Sequence, residues 1–369
     1  MNFFDKTNQE LKVPGRIFRV DLEYWPDLED KNYKEDDDDE DDDISVKSIT
    51  KQASISSKFV VDKVFEAVER FKEGHTLVFV PGQKEVEECV QKFSEIAPSN
   101  FEVLPLFGSL SPDEQMQVIE FENKGKTKDK DRLVAFCTNI AETSLTVEGV
   151  KIVIDSGLSK ESRYDMNRRA NVLEMTWISK SSADQRKGRA GRTSPGTCIR
   201  LFSQDALTRE SIEPEILRSS IDHVILQLKV LRLDNLPLIA SPENDKWKLA
   251  LENLRVVGAL DEKSEVTNLG RLFSDLPFDP TISAFLTDLY MNHKTNIGIK
   301  TAALVTAPGN FFYLGNKETR KDDEKKITLK ASNYDSDIIF KISVYDEWVE
   351  SGNVDSLQKV RIIFIVIVK

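Results

Sequence analysis

Ser181-Ser-Ala-Asp-Gln-Arg-Lys-Gly-Arg-Ala-Gly-Arg192 is the stretch from which the rest of the chain can be read. If it is helical, Gln185, Arg189 and Arg192 recur at i, i+4 and i+7 and share one face. Gly188, Ala190 and Gly191 keep that face slim, so a large group can approach the backbone. Two guanidiniums and an amide so arranged suit a polyphosphate, because arginine presents a planar, permanently charged fork of donors. A solvated basic face with surface salt bridges is the plainer reading of any two arginines. The glycines between them, and the upstream Ser and Asp residues that suit a helix cap, favour phosphate.

Working outward, short apolar runs alternate with helical patterns. Arg16–Tyr24 alternates like an edge or half-buried strand. Val60–Phe71 has helical periodicity, and Leu77–Val80 is an apolar run closed by Pro81-Gly82. Lys84–Phe93 and Pro112–Phe121 read as helices, and Val103–Leu106, Leu133–Phe136 and Lys151–Ile154 as strands. Met175–Ile178 is a further strand candidate just before the arginine helix. Uninterrupted apolar strands between helices predict an α/β domain, a parallel sheet covered by helices on both faces. Ligands of such sheets bind beyond the carboxyl ends of the strands, and Leu133–Phe136 runs straight into Thr138-Asn139. After Phe202 the pattern turns helical. Ile221, Val224, Ile225 and Leu228 mark one amphipathic helix, and Leu251, Leu254 and Val257 another. Gly258–Gly270 reads as a helix end, a turn and a short strand.

At 369 residues the chain has room for two to three domains. Its three cysteines and three histidines lack metal spacing, which argues against a zinc site or a disulfide framework and for a reducing, intracellular compartment, nucleus or cytoplasm. The net charge of −12 includes nine consecutive acids, Glu35–Asp43, so the remainder carries −3. That run is expected to form a self-repelling, disordered loop over 34–46, which leaves room for a basic channel elsewhere. The seven apolar residues Ile362–Val368 are too few to span a bilayer, and no membrane partner is expected. Gly125-Lys-Thr127 is a decoy phosphate loop, since Glu120 stands where its first glycine should be.

Four ordered segments resemble the DEAH-box (DEAH/RHA, superfamily 2) ATP-dependent RNA helicases. They are Leu77–Gln83, Leu106–Gln115, Cys137–Val147 followed by Val153–Gly157, and Gln185–Arg192. The resemblance implies a second RecA-like domain over 16–203, a winged helix over 204–277 and part of a helical ratchet domain over 278–350. Residues 1–15 resemble the end and linker of a first RecA-like domain, whose phosphate loop and DEAH box are expected before residue 1; 351–369 match nothing in the family.

The same resemblance assigns site residues. Arg189 and Arg192 match arginine-finger positions, and Gln185 a γ-phosphate or water contact. Ser144, Thr146 and Glu148 match positions near the ribose and phosphates, with Glu148 replacing the family's Asp. The adenine-stacking Phe aligns with Ile119, while Phe121 lies two residues on. Thr138, Asn139, Gly108 and Ser109 match RNA-backbone loops, where small polar groups suit sequence-independent phosphate contact, and Lys160 and Arg163 add charge. The implied cofactor is ATP with Mg2+ held by the first domain, and the implied partners are RNA, that domain and protein activators. The expected function is the C-terminal part of an ATP-hydrolysing RNA helicase, inactive by itself. The alternatives are a non-catalytic RNA-binding or regulatory module and a gene-model fragment.

Overall fold

The computed structural model describes residues 18–26, 55–127, 129–143, 145–306 and 327–351. Ser144, the acidic run and the apolar tail therefore lie outside the described residues. The chain divides into two compact units, 1–219 and 220–369.

The first unit is built on a six-stranded, wholly parallel sheet in the order β1-β8-β5-β2-β4-β3. Its strands are β1 (Val20–Tyr24), β2 (His75–Phe79), β3 (Phe101–Leu106), β4 (Arg132–Cys137), β5 (Val150–Asp155) and β8 (Gly196–Arg200). The alternation of side chains explains why the inner strands read as unbroken apolar runs. Val78, Val134, Phe136, Ile152, Ile154 and Ile199 pack with α1 (Ser57–Arg70) and α2 (Gln83–Ile96). Leu77, Phe79, Leu133, Ala135, Cys137, Val153 and Cys198 pack on the other face with Val118, Ala141 and Ala190. Those three belong to α3 (Pro112–Ile119), α4 (Ile140–Thr143) and the turn after α5 (Lys180–Lys187). This is the RecA-like layering expected from the sequence, and β1 takes the edge.

Two elements depart from expectation. Met175–Ile178 does not join the main sheet. It ends β7 (Ala170–Trp177), which pairs antiparallel with β6 (Leu158–Asp165) as a separate two-stranded ribbon. Strand β7 is half-buried or exposed along its length, which is why it lacks the apolar continuity of the other strands. The helix read as Pro112–Phe121 stops at Ile119 and gives way to a π-turn over Phe121–Gly125. Residues 203–219 still belong to the first unit. Arg209 holds Glu161 on β6 in a bidentate pair at 3.0 and 2.8 Å, and Arg218 of α6 (Glu215–Arg218) donates to Ser162 O at 3.4 Å.

The second unit holds α7 (Asp222–Val230), α8 (Asn244–Val256), α9 (Asn268–Asp275), α10 (Pro280–Met291), α11 (Thr295–Thr306) and α12 (Asp337–Ser351). Between α8 and α9 the predicted short strand is a single antiparallel bridge, Leu260 with Val266. Thr267 then caps α9, its Oγ1 accepting from Gly270 N at 3.0 Å. Ile225 and Leu226 of α7 are buried, whereas Val224 is exposed, so the buried stripe is narrower than the sequence pattern.

Candidate functional site

Helix α5 is capped by Ser179, whose Oγ accepts from Ser182 N at 3.2 Å. It ends at Lys187, five residues short of Arg192. Gly188 N still reaches Asp184 O at 2.9 Å, but Arg189 N and Ala190 N fall back to Arg186 O and Lys187 O at 3.0 and 3.1 Å. The chain has tightened from four-residue to three-residue turns. The expected single helical face through Gln185, Arg189 and Arg192 is therefore corrected to a helix followed by a compact turn. The helix ends at Gly188, whose low helix propensity weakens the last turn.

The two arginines nevertheless converge. Arg189 Nη1 donates to Leu145 O at 3.0 Å and Nη2 to Glu142 O, and Arg192 donates to the Thr146 hydroxyl. Arg189 is buried, whereas Arg192 and Gln185 are exposed. Burial, then the neighbouring positive charge of Arg192, hold the Arg189 guanidinium below its ordinary value. Arginine remains charged at neutral pH all the same.

Arg186, which sequence reasoning passed over, is the most deeply held of the group. Only 1% of it is exposed. Its Nε donates to Glu142 at 3.1 Å, its Nη1 to Asp155 at 2.8 Å and to Leu158 O at 3.3 Å, and it stacks 4.9 Å from the Phe79 ring. Burial works against its charge, but the carboxylates of Asp155 and Glu142 prevail and raise its pKa. The hub ties α5 to the ends of β2 and β5 and to α4, so it fixes the segment that Arg189 and Arg192 grip. Its signal in the sequence was the pair of acids, Glu142 and Asp155, each inside a family-like segment.

Of the residues expected near the ribose and phosphates, Thr146 and Glu148 are exposed just before β5, and Glu148 accepts from Asn123 Nδ2 at 2.9 Å. Ile119 is half-buried at the end of α3. Phe121 is core: only 2% is exposed, and its ring meets His75 edge-on with centroids 5.2 Å apart. At that exposure it offers a base little ring surface in this conformation, although it forms part of a groove wall. A groove of about 370 Å3 opens beside it, along Leu104, Met116 and Glu120, but Thr146, Glu148, Arg189 and Arg192 do not line it.

The RNA candidates gather at the carboxyl ends of adjacent strands β3 and β4. Thr138 N donates to Leu106 O at 3.1 Å, which joins the two loops. Asn139, Gly108 and Ser109 are exposed, and Thr138 is half-buried. A side chain added at Gly108 would meet nothing, so a polymer backbone has open access there. Lys160 and Arg163 lie on the β6–β7 ribbon and are already neutralised. Lys160 Nζ holds both oxygens of Glu85 at 3.0 and 2.9 Å, and Arg163 pairs with Glu213 at 3.3 Å. Contact with RNA would therefore have to compete with these ion pairs. Among the described residues, no cluster of His, Cys, Asp and Glu could hold a metal ion, and no helix is long and apolar enough to cross a membrane.

The helicase conserved C-terminal domain matches residues 60–194, and the helicase-associated (HA2) winged-helix domain matches residues 250–278. The Arabidopsis thaliana protein named ATP-dependent RNA helicase DEAH11, chloroplastic, is 33% identical over 347 residues, 92% of this chain. Its relative DEAH12 is 34% identical over 346 residues. The chain belongs to the DEAH-box helicases. It spans 18% of the length of each of these two relatives. The Escherichia coli DEAH/RHA helicase HrpB shares the fold, with a TM-score of 0.67 and 24% identity over 88% of this chain and 39% of that one. Both plant names place those proteins in the chloroplast, so they lend no support to a nuclear or cytoplasmic location for this DEAH-box chain.

Proposed function

We propose that this chain is the half of an ATP-driven RNA helicase that closes on a nucleotide held by a first RecA-like domain, and that its β3 and β4 loops form part of an RNA channel. The observation that carries the reading is the convergence of Arg189 and Arg192 on the 142–146 segment, with the Arg186 hub fixing that segment from beneath. Arg192 is exposed and bonded to a hydroxyl, a neutral partner that a phosphate oxygen outcompetes through a charge-assisted bond. It is therefore the finger, and buried Arg189 holds the loop beneath it. Gln185, exposed one turn earlier, is placed to orient the γ-phosphate or attacking water. A finger in related nucleotidases contributes roughly three to five orders of magnitude in rate.

The 369 residues contain no GxxxxGK[ST] run and no DEAH tetrapeptide, and the described residues hold no ligand set for a metal ion. ATP and Mg2+ are thus expected to be held chiefly by the companion domain, with Thr146, Glu148 and Ile119 contributing to the nucleoside side. By itself the chain is expected to turn over no ATP. The nucleotide and RNA sets lie toward opposite ends of the parallel strands: Thr138, Asn139, Gly108 and Ser109 follow strand ends, while Thr146, Glu148 and Arg192 precede strand starts. Separate disruption tests that arrangement. Thr138→Ala should weaken single-stranded RNA binding while nucleotide affinity, read by a fluorescent ADP analogue with the companion domain present, is unchanged. Equal loss of both would contradict two separate faces.

A further inference from the structure

Ser109, grouped by resemblance with the phosphate-contacting loops, has its one donor already committed. Its Oγ donates to Gln83 Oε1 at 2.9 Å, and Gln83 Nε2 donates to Glu87 Oε1 at 2.9 Å. The direction of this relay is forced from its far end. A carboxylate only accepts, so the Gln83 amide must turn its NH2 to Glu87 and its carbonyl oxygen to Ser109. The Ser109 hydroxyl hydrogen then points at that carbonyl, and only lone pairs remain outward.

The loop is held in this state from both sides. Gln115 Nε2 donates to Leu110 O at 3.0 Å, and Ser111 with Glu114 forms a capping box at the start of α3. Lys160, which sits beside Gly82, is engaged as well, with its ammonium on Glu85. One strand over, the chemistry is the opposite. Among the described residues, the Thr138 hydroxyl and the Asn139 amide carry no hydrogen bond and keep their donors. The two loops are neighbours, because Leu106 pairs with Cys137 in register, and adjacent strands lie about 4.8 Å apart.

We infer that Ser109 is an acceptor for a ribose 2′-hydroxyl and makes this chain discriminate RNA from DNA, while the phosphate is taken next door by Thr138 and Asn139. A phosphate oxygen has no hydrogen to give, so it gains nothing from an acceptor-only Ser109. A 2′-hydroxyl gives one, and DNA lacks it. Gln83 and Glu87 are positioning residues that set the polarity of the serine. The inference rests on the RNA-channel reading above and sharpens it.

The test titrates the full 369-residue chain with fluorescent single strands of one base sequence carrying 2′-hydroxyl, 2′-hydrogen or 2′-O-methyl sugars. The 2′-hydroxyl strand should bind tightest, and the other two should resemble each other. Ser109→Ala should weaken the 2′-hydroxyl strand by about threefold to tenfold, the size of one hydrogen bond, and leave the others within about twofold. Gln83→Leu frees the hydroxyl to donate, so it should strengthen the 2′-hydrogen strand and narrow the gap. Unchanged melting temperatures of both variants confirm that folding is not the cause. Equal weakening of all three strands by Ser109→Ala makes Ser109 a phosphate contact and overturns this inference, leaving the RNA-channel reading in place. No effect on any strand overturns it too. Failure of the folded wild-type chain to bind any strand defeats the RNA-channel reading itself.

Discussion

Arg186, Glu142 and Asp155 show how a conspicuous motif can conceal its structural member. The two carboxylates are buried around a single guanidinium, so removing it strands two negative charges out of water. Arg186→Met is expected to cost about 3–5 kcal/mol in denaturant unfolding, and a loss below about 1 kcal/mol would contradict the hub. His75 gives a pH prediction. Its Nδ1 accepts from Leu133 N at 3.2 Å, which requires Nε2 to carry the proton shared with Glu122 at 2.6 Å. Burial lowers its pKa despite the opposing Glu122 carboxylate. The unfolded chain therefore takes up the proton first as pH falls. Stability from this group is intact above the ordinary value of about 6.5 and is lost as pH drops from there toward the folded value. The melting temperature should fall more between about pH 7 and about pH 5.5 in the wild type than in His75→Gln; parallel curves would contradict it. The exposed polar residues of the motifs were legible because their chemistry depends on residue type and spacing. Arg186 was not, because a helical wheel ranks faces by polarity and a buried charge looks like an exposed one until its partners are known.

At the scale of elements, the strands of the central sheet were legible within a few residues because both of their faces are buried and their apolar runs are continuous. The β6–β7 ribbon was not, since it is polar and half-exposed, and β6 carries Lys160, Glu161 and Arg163 where an apolar run would signal a strand. The early end of α5 falls at Gly188, a residue type that suits either close approach or termination, so the sequence alone did not decide between them. In the second unit, a glycine is required at position 270. A Cβ there would run into the carbonyl oxygen of Ala259, which is backbone and cannot rotate away. Gly270→Ala should therefore lower thermal stability by several degrees, of order 1–3 kcal/mol. In hydrogen exchange the loss should be confined to α7–α9, with the amides of β2, β4 and β5 unchanged. Uniform loss across both units would contradict their description as separate compact bodies.

For the whole molecule, the balance of charge says little about binding, since nine of the acids lie together in one run. In the proposed reading, function depends on two small polar sets carried by one sheet: Thr146, Glu148 and Arg192 before strand starts, and Gly108, Ser109, Thr138 and Asn139 after strand ends. The central claim is that Arg192 completes a catalytic site whose other half lies on a companion domain. It is tested most directly by RNA-stimulated ATP turnover of this chain joined to a DEAH-box first RecA-like domain, comparing Arg192 with Arg192→Lys. Lysine keeps the charge but loses the planar fork. Turnover should drop by roughly a hundredfold, about 2.7 kcal/mol of transition-state stabilisation. Melting temperature should not change because Arg192 is exposed, and RNA affinity should not change because Arg192 precedes the start of β8 whereas Thr138 and Asn139 follow the end of β4. Unaltered turnover per folded molecule would contradict the claim and make the arginine turn a purely structural element.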